Sequence, residues 1–246
     1  MQKTIHYCWF GEGEKPIEIK ECIRSWSKIC PDYEIIEWNE DIFDINICPY
    51  VKQAHEAKKY AFVSDYARFY VLNKYGGVYL DTDVELIKDI TPLTEGNFVG
   101  FESDISVNTG LIMASEKNTE LCLSMLEEYN SDVFLKDDGS YNLRTVCERV
   151  TDWLVERGLK LDGTTQNVAG YTIYATEYFN PKGGNYGSDK ITSNTYSIHH
   201  YLATWKSPLD RKLMQYRVKY GYKRGTVIFT MRHPILAYKK HKEKKG

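Results

Sequence analysis

Apolar residues in the first eighty positions fall alternately into short continuous runs and rows at helical spacing. Thr4 to Phe10 reads as a strand, Gly11-Glu12-Gly13 as a turn, and Pro16 as the opening of a helix whose Ile19, Cys22, Ile23, Trp26, Ile29 and Cys30 make one apolar face. Tyr33 to Trp38 reads as a second strand. Tyr50 to about Tyr75 reads as one or two helices with Phe62, Phe69 and Leu72 facing inward, stopped by Gly76-Gly77. Val78-Tyr79-Leu80 is then a buried strand running straight into Asp81-Thr82-Asp83. This order predicts an α/β fold with a mostly parallel central sheet flanked by helices, in which ligands bind beyond the carboxyl ends of the strands.

Further along, Phe98–Phe101 and Val107–Ala114 read as strands. Asn118–Tyr129 and Tyr141–Arg157 read as helices with the apolar rows Leu121, Met125 and Val146, Val150, Trp153. Residues 158–197, rich in Gly, Thr, Asn and Tyr, read as short strands and loops over the site. Ser197–Tyr201 is one more strand, followed by Trp205. Leu209, Leu213, Tyr216 and Tyr220 form a helical stripe among basic residues. No composition shift forces a boundary before about residue 206, so the expected organisation is a domain over 1–206 and a basic helical extension over 207–246.

Composition narrows the class. At 246 residues with 42% hydrophobic and 27% charged positions, the chain can bury one sizeable core. It lacks the roughly 18 consecutive apolar residues of a spanning helix, and its N-terminus has no basic-then-apolar leader pattern. Six scattered cysteines without a C-x-x-C pair fit reduced, cytoplasmic thiols. The net charge of -2 hides an asymmetry, because residues 211–246 hold twelve Lys and Arg against one Glu. An acidic body with a basic tail points to an anionic surface as a partner, such as the inner face of a membrane; it argues against nucleic acid. Of 34 aromatics, 25 are Tyr or Trp, whose flat faces and polar tips suit sugar and base stacking.

Two constellations carry candidate chemistry. Asp81-x-Asp83 puts two hard oxygen ligands at a strand exit, a pattern suited to Mn²⁺ or Mg²⁺ bridging a diphosphate. Upstream, Asp65 and Arg68 share a helix face at i, i+3 amid Phe62, Val63, Tyr66 and Phe69. Charges on so apolar a stripe need a partner, and a polar ligand is one.

The run from Ala61 to Asp83, with Ser64-Asp65-x-x-Arg68 and Gly76-Gly77-x-Tyr79-x-Asp81-x-Asp83, resembles the signature of glycosyltransferase family 32 and is similar to the glucosyltransferase domains of large bacterial toxins. Ile5 to Gly11, Asn108-Thr109-Gly110-Leu111, and His199-His200-Tyr201 leading to Thr204-Trp205 fit the same pattern in order. The resemblance covers residues 4–205 and implies a GT-A fold that binds a nucleotide diphosphate sugar and retains anomeric configuration. It implies that Trp9 stacks on the base, that Asp65 and Arg68 hold the donor sugar, and that Asp81 contacts ribose, sugar and metal. Asp83 would ligate the metal, Asn108 would lie beside the diphosphate or sugar, and His199 or His200 would complete the metal sphere. Trp205 would reach the diphosphate beside Thr204, which stands where the family often has Ser. The two histidines point to opposite faces of a strand, and spacing leaves open which one meets the metal. His6 reads as a core histidine; Glu85, Glu102 and Asp104 read as a solvated acidic rim, with an acceptor-side base among them as the alternative.

These readings converge on a metal-dependent, retaining hexosyltransferase. It would use a UDP-sugar and a saccharide or lipid-linked saccharide acceptor in surface polysaccharide synthesis. The alternatives are a GDP-mannose-dependent mannosyltransferase and a noncatalytic carbohydrate-binding module.

Overall fold

The computed structural model describes residues 1–181, 190–202, 209, 212, 213, 216, 217 and 220–236. Thr204 and Trp205 lie outside the described residues.

The N-terminal half alternates as its periodicity predicts: β1 (Thr4–Cys8), α1 (Ile17–Ile29), β2 (Glu34–Trp38), α2 (Pro49–Glu56), α3 (Tyr60–Tyr75) and β3 (Gly77–Tyr79). There follow β4 (Val84–Leu86), β5 (Asn97–Ser103), β6 (Ser106–Ser115), α4 (Glu120–Asn130), α5 (Val146–Val155), β7 (Gln166–Val168), β8 (Tyr171–Tyr174), α6 (Thr176–Phe179), β9 (Ser197–His199) and α7 (Tyr222–Arg232).

Seven strands form one sheet in the order β2-β1-β3-β6-β5-β8-β7. The β1–β2, β1–β3 and β5–β8 pairs are parallel, whereas β6 runs antiparallel to both its neighbours and β7 to β8. Five of the seven strands therefore share one direction. Side-chain alternation splits the core between the two faces. Cys8 joins a cluster with Val51, Phe69, Met125 and Val150 of α2 to α5, while Ile5 and Tyr7 join Trp26 of α1 and Phe179 of α6.

Glycine decides how α3 gives way to β3. The Gly76 amide caps the helix by donating to Leu72 O at 2.8 Å. Gly77 sits at φ +110, where a Cβ would stand 2.7 Å from Thr4 O of the adjoining strand, so no other residue fits there without a shift. His6, fully buried between these elements, lies 2.9 Å from Gly76 O through Nε2 and accepts from Trp38 Nε1 at 3.1 Å. Burial holds its pKa below the usual value, as suits a satisfied core histidine.

Two expectations change. The helix predicted over Tyr141–Arg157 begins only at Val146, because Thr145 and Glu148 form a capping box. The residues before it fold back instead: Asn142 N donates to Phe134 O at 2.7 Å and Leu135 bridges Tyr141. Phe62, predicted to face inward, is only partly buried and packs on Phe134 at 5.0 Å between ring centres. Beyond the sheet, Tyr216 of the C-terminal stripe packs edge-on against Phe229 of α7 at 5.6 Å between ring centres. A Cβ on Gly225 would approach Tyr216 O to 2.3 Å, so this contact depends on glycine.

Candidate active site

A cleft of about 580 Å³ opens where β1, β3 and β5 end and β6 begins. Every sequence-predicted site residue among those described lines it except His200. The α3 helix supplies Ser64, Asp65 and Arg68, the exit of β3 supplies Asp81 and Asp83, and β6 supplies Asn108.

Arg68 is the hub. Its guanidinium lies 2.8 Å from Asp65 and 3.3 Å from Asp81, donates to Thr109 Oγ1 at 3.0 Å, and stacks 4.8 Å from the Tyr79 ring centre. The bonds join a helix, a strand exit and the neighbouring strand, so the i, i+3 pair of the sequence is a three-element junction. Burial opposes the Arg68 charge, but Asp81, Tyr79 and Asp65 more than compensate and hold its pKa above the usual value. Burial acts the other way on Asp65, raising its pKa to about 6 despite Arg68.

The second carboxylate of the pair faces elsewhere. Asp83 Oδ1 lies 3.0 Å from His199 Nε2, and Asp83 Oδ2 accepts from Leu202 N at 2.8 Å. The small β4–β9 sheet makes this meeting, since its register sets Val84 opposite His199 across 115 positions of sequence. Burial alone would raise the Asp83 pKa and lower that of His199. Their mutual attraction outweighs it, so Asp83 sits below and His199 above the usual value. The next residue, His200, turns to the other face and pairs with Glu85 at 2.9 Å, away from Asp83. Alternation along the strand thus selects His199.

Among the described residues no three His, Cys, Asp or Glu side chains cluster as a ready cation cage. Asp83 and His199 face each other through Oδ1 and Nε2 at 3.0 Å, while His199 Nδ1 is buried with no hydrogen-bond partner on the other side of the ring. A carboxylate oxygen and an imidazole nitrogen are donors that Mn²⁺ accepts, so a cation shared by the two would take the place of their hydrogen bond.

Trp9 forms the cleft rim at the end of β1. It is partly exposed, with Nε1 donating to Gly13 O at 2.6 Å and Lys15 Nζ 5.4 Å from its ring centre. Asn108 is buried; its Oδ1 accepts from Gly110 N at 2.7 Å and its Nδ2 donates to Glu102 at 3.1 Å. Glu102 is therefore a wall residue of the cleft and not part of a solvated rim. Thr109 and Tyr201 belong to the sequence motifs without a role assigned there, and both contact predicted site residues, Arg68 and His199. Nothing in the spacing of Thr109 ties it to Arg68.

Residues 16–99 match the family model described as a glycosyltransferase sugar-binding region containing a DXD motif. The chain is 32% identical over 95 residues to inositol phosphoceramide mannosyltransferase 3 of Schizosaccharomyces pombe, covering 37% of this chain and 26% of that protein. It is 34% identical over 91 residues to an uncharacterized protein of Arabidopsis thaliana, covering 35% and 14%. The match thus spans only about a quarter or less of either relative. The solved structure of PaToxG Glycosyltransferase is similar at a TM-score of 0.48 and 21% identity, covering 61% of this chain and 67% of that one.

Proposed function

We propose that this chain, whose residues 16–99 match the DXD-containing sugar-binding region of glycosyltransferases, transfers a hexosyl group from a UDP-sugar to a saccharide hydroxyl with retention. The observation that carries this reading is the single cleft in which Arg68 joins Asp65 to Asp81 while Asp83 faces His199. Its two halves suit the two halves of a donor: an anchored fork and carboxylates for sugar hydroxyls, and a cation site for the diphosphate.

In this proposal Trp9 offers its ring to the base, Asp65 and Arg68 fix the sugar, Asp81 meets ribose and sugar, and Asn108 presents its amide to the diphosphate side. Asp83 and His199 would hold Mn²⁺ or Mg²⁺, which when bound neutralises charge building on the departing diphosphate. Asp65 and Asp81 are both engaged by Arg68, which favours attack on the same face as the leaving group over a covalent sugar intermediate on either. The name of the fission-yeast relative favours GDP-mannose as the second donor to test. An intact Asp81-x-Asp83 pair disfavours a noncatalytic sugar-binding module, which has no use for a cation. A role in cytoplasmic surface-polysaccharide synthesis on a lipid-linked acceptor belongs to the same proposal.

The test is a panel of UDP- and GDP-sugars with Mn²⁺, scored by release of nucleotide diphosphate from the parent chain and from Asp83→Ala. Release by the parent that is lost in the variant and in excess chelator is the expected result. Undiminished release by Asp83→Ala removes the cation site from this reading.

A further inference from the structure

Donor binding accounts for most of the polar groups in the cleft, but it leaves one carboxylate unused. Among the described residues, Arg68 engages Asp65 and Asp81, and His199 engages Asp83. Glu102 is the remaining acidic group of the cleft wall and has no ion pair with a described residue.

Its position is built rather than incidental. The β5–β6 register breaks between Phe101 and Ser103, so Glu102 sits at an irregularity of the kind that re-aims a side chain beside a site. Phe101 remains fully buried in the core, while the Glu102 carboxylate joins the cleft. Three contacts fix the segment. Asn108 Nδ2 donates to Glu102 Oε1 at 3.1 Å, and the fully buried Asn180 donates to Glu102 O at 2.8 Å and to the Tyr201 hydroxyl at 2.7 Å. Tyr201 is itself held at φ +53, a left-handed conformation that costs a tyrosine energy, with its ring 4.0 Å from His199. Asn180 thus holds the Glu102 backbone, and the Tyr201 hydroxyl hydrogen-bonds the Glu102 carboxylate.

In the donor placement proposed above, Asn108 ties that carboxylate to the diphosphate side. Same-face attack requires the acceptor hydroxyl to approach from that side. We propose that Glu102 is the catalytic base for the acceptor, a role that rests on the glycosyl-transfer reading above. As the acceptor oxygen bonds to the anomeric carbon, its proton passes to the Glu102 carboxylate. The bond from that carbon to the diphosphate oxygen breaks, and its electron pair leaves with the diphosphate. Glu102 then returns the proton to solvent. Asn108 and the Tyr201 hydroxyl both hydrogen-bond this carboxylate and hold it in place as it takes the proton. The ligand class is a sugar hydroxyl, with water as the minimal substitute.

Two variants test this. Glu102→Gln keeps an acceptor oxygen for Asn108 and removes the base; Glu102→Ala opens space for a small carboxylate. Nucleotide diphosphate release with water as acceptor is measured with Mn²⁺ and UDP-glucose, UDP-galactose, UDP-N-acetylglucosamine or GDP-mannose, and UDP and GDP binding is measured by calorimetry. Both variants should bind nucleotide within about twofold of the parent and keep its donor KM. Both should lose about a hundredfold or more in kcat, the range of general base catalysis. Sodium formate should restore turnover to Glu102→Ala but not to Glu102→Gln, a rescue that a merely structural role does not give. Turnover by Glu102→Gln within fivefold of the parent overturns the proposal, as does a glycosyl adduct on Glu102 in the intact mass of the parent. If the parent neither binds nucleotide nor releases it from any donor, the transfer reading itself fails and takes this role with it. A parent that turns over beside an equally active Glu102→Gln sinks the base alone.

Discussion

Gly110 makes room for Asp81. A Cβ on residue 110 would stand 1.9 Å from Asp81 Oδ2, and the Gly110 carbonyl accepts the Asp81 amide at 2.9 Å. The carboxylate that Arg68 holds therefore lies flat against a backbone with no side chain, in a space only glycine leaves open. Gly110→Ala should push Asp81 out of the Arg68 junction while the sheet stays intact. A misplacement of about 1 Å in a catalytic group can cost on the order of a hundredfold, so nucleotide diphosphate release should fall by about that factor with an unchanged far-UV spectrum. Full activity in the alanine variant shows that Asp81 is not needed where it sits.

Asp65 supplies a pH dependence. Its folded pKa of about 6 lies above that of an unfolded aspartate near 3.9, so the folded state holds the proton more tightly. Its contribution to stability is thus fully present below about pH 4 and lost as pH rises through 6, amounting to on the order of 3 kcal/mol. Sugar binding needs the ionised form, so activity should move oppositely, rising between pH 5 and 7. Thermal melts and pH-rate profiles of the parent and Asp65→Asn separate the two trends. An identical pH dependence of melting in both proteins rules out this assignment.

Trp9 is only partly buried on the cleft rim, where the proposal has it stack on the base. Trp9→Ala should weaken nucleotide binding by about 1–3 kcal/mol, the range of base-aromatic stacking, and Trp9→Phe should keep much of it. Calorimetric titration with UDP measures the change. An alanine variant that melts far lower yet binds UDP with parental affinity assigns Trp9 to the fold.

Exposed apolar residues lie along and just past α7. Val227 and Met231 of α7 and Ile235 beyond its end are 52%, 76% and 72% exposed near Lys223, Arg224 and Arg232, while Tyr216 and Phe229 pack together. Apolar residues flanked by cations suit an anionic bilayer surface, where each Lys or Arg is worth about 1 kcal/mol. The full chain should pellet with phosphatidylglycerol vesicles at low salt, and less at high salt or as Met231→Asp. Failure to pellet at low salt ends the membrane proposal.

Local pattern determined a good deal of this protein. The alternation of strand runs and helical rows foretold β1 through β3 and the helices between them, because backbone period and glycine freedom act over a few residues. Asp65 and Arg68 stood out by their spacing on one helix face and Asp81 and Asp83 by a strand exit, whereas Asn108 was marked only by the family resemblance; the structure brings all five to one cleft. Even His199 against His200 reduced to a single choice by alternation. What tertiary structure alone decided are the relations across the chain. Register between β4 and β9 brings His199 to Asp83, the β5–β6 irregularity turns Glu102 from an acidic rim into a cleft wall, and Thr109 reaches Arg68 from the next strand. The start of α5 depended on a cap against a folded-back arm, which an apolar row alone does not mark. Such contacts are set by strand pairing and side-chain packing between residues tens of positions apart, and no local periodicity records which partner a residue meets.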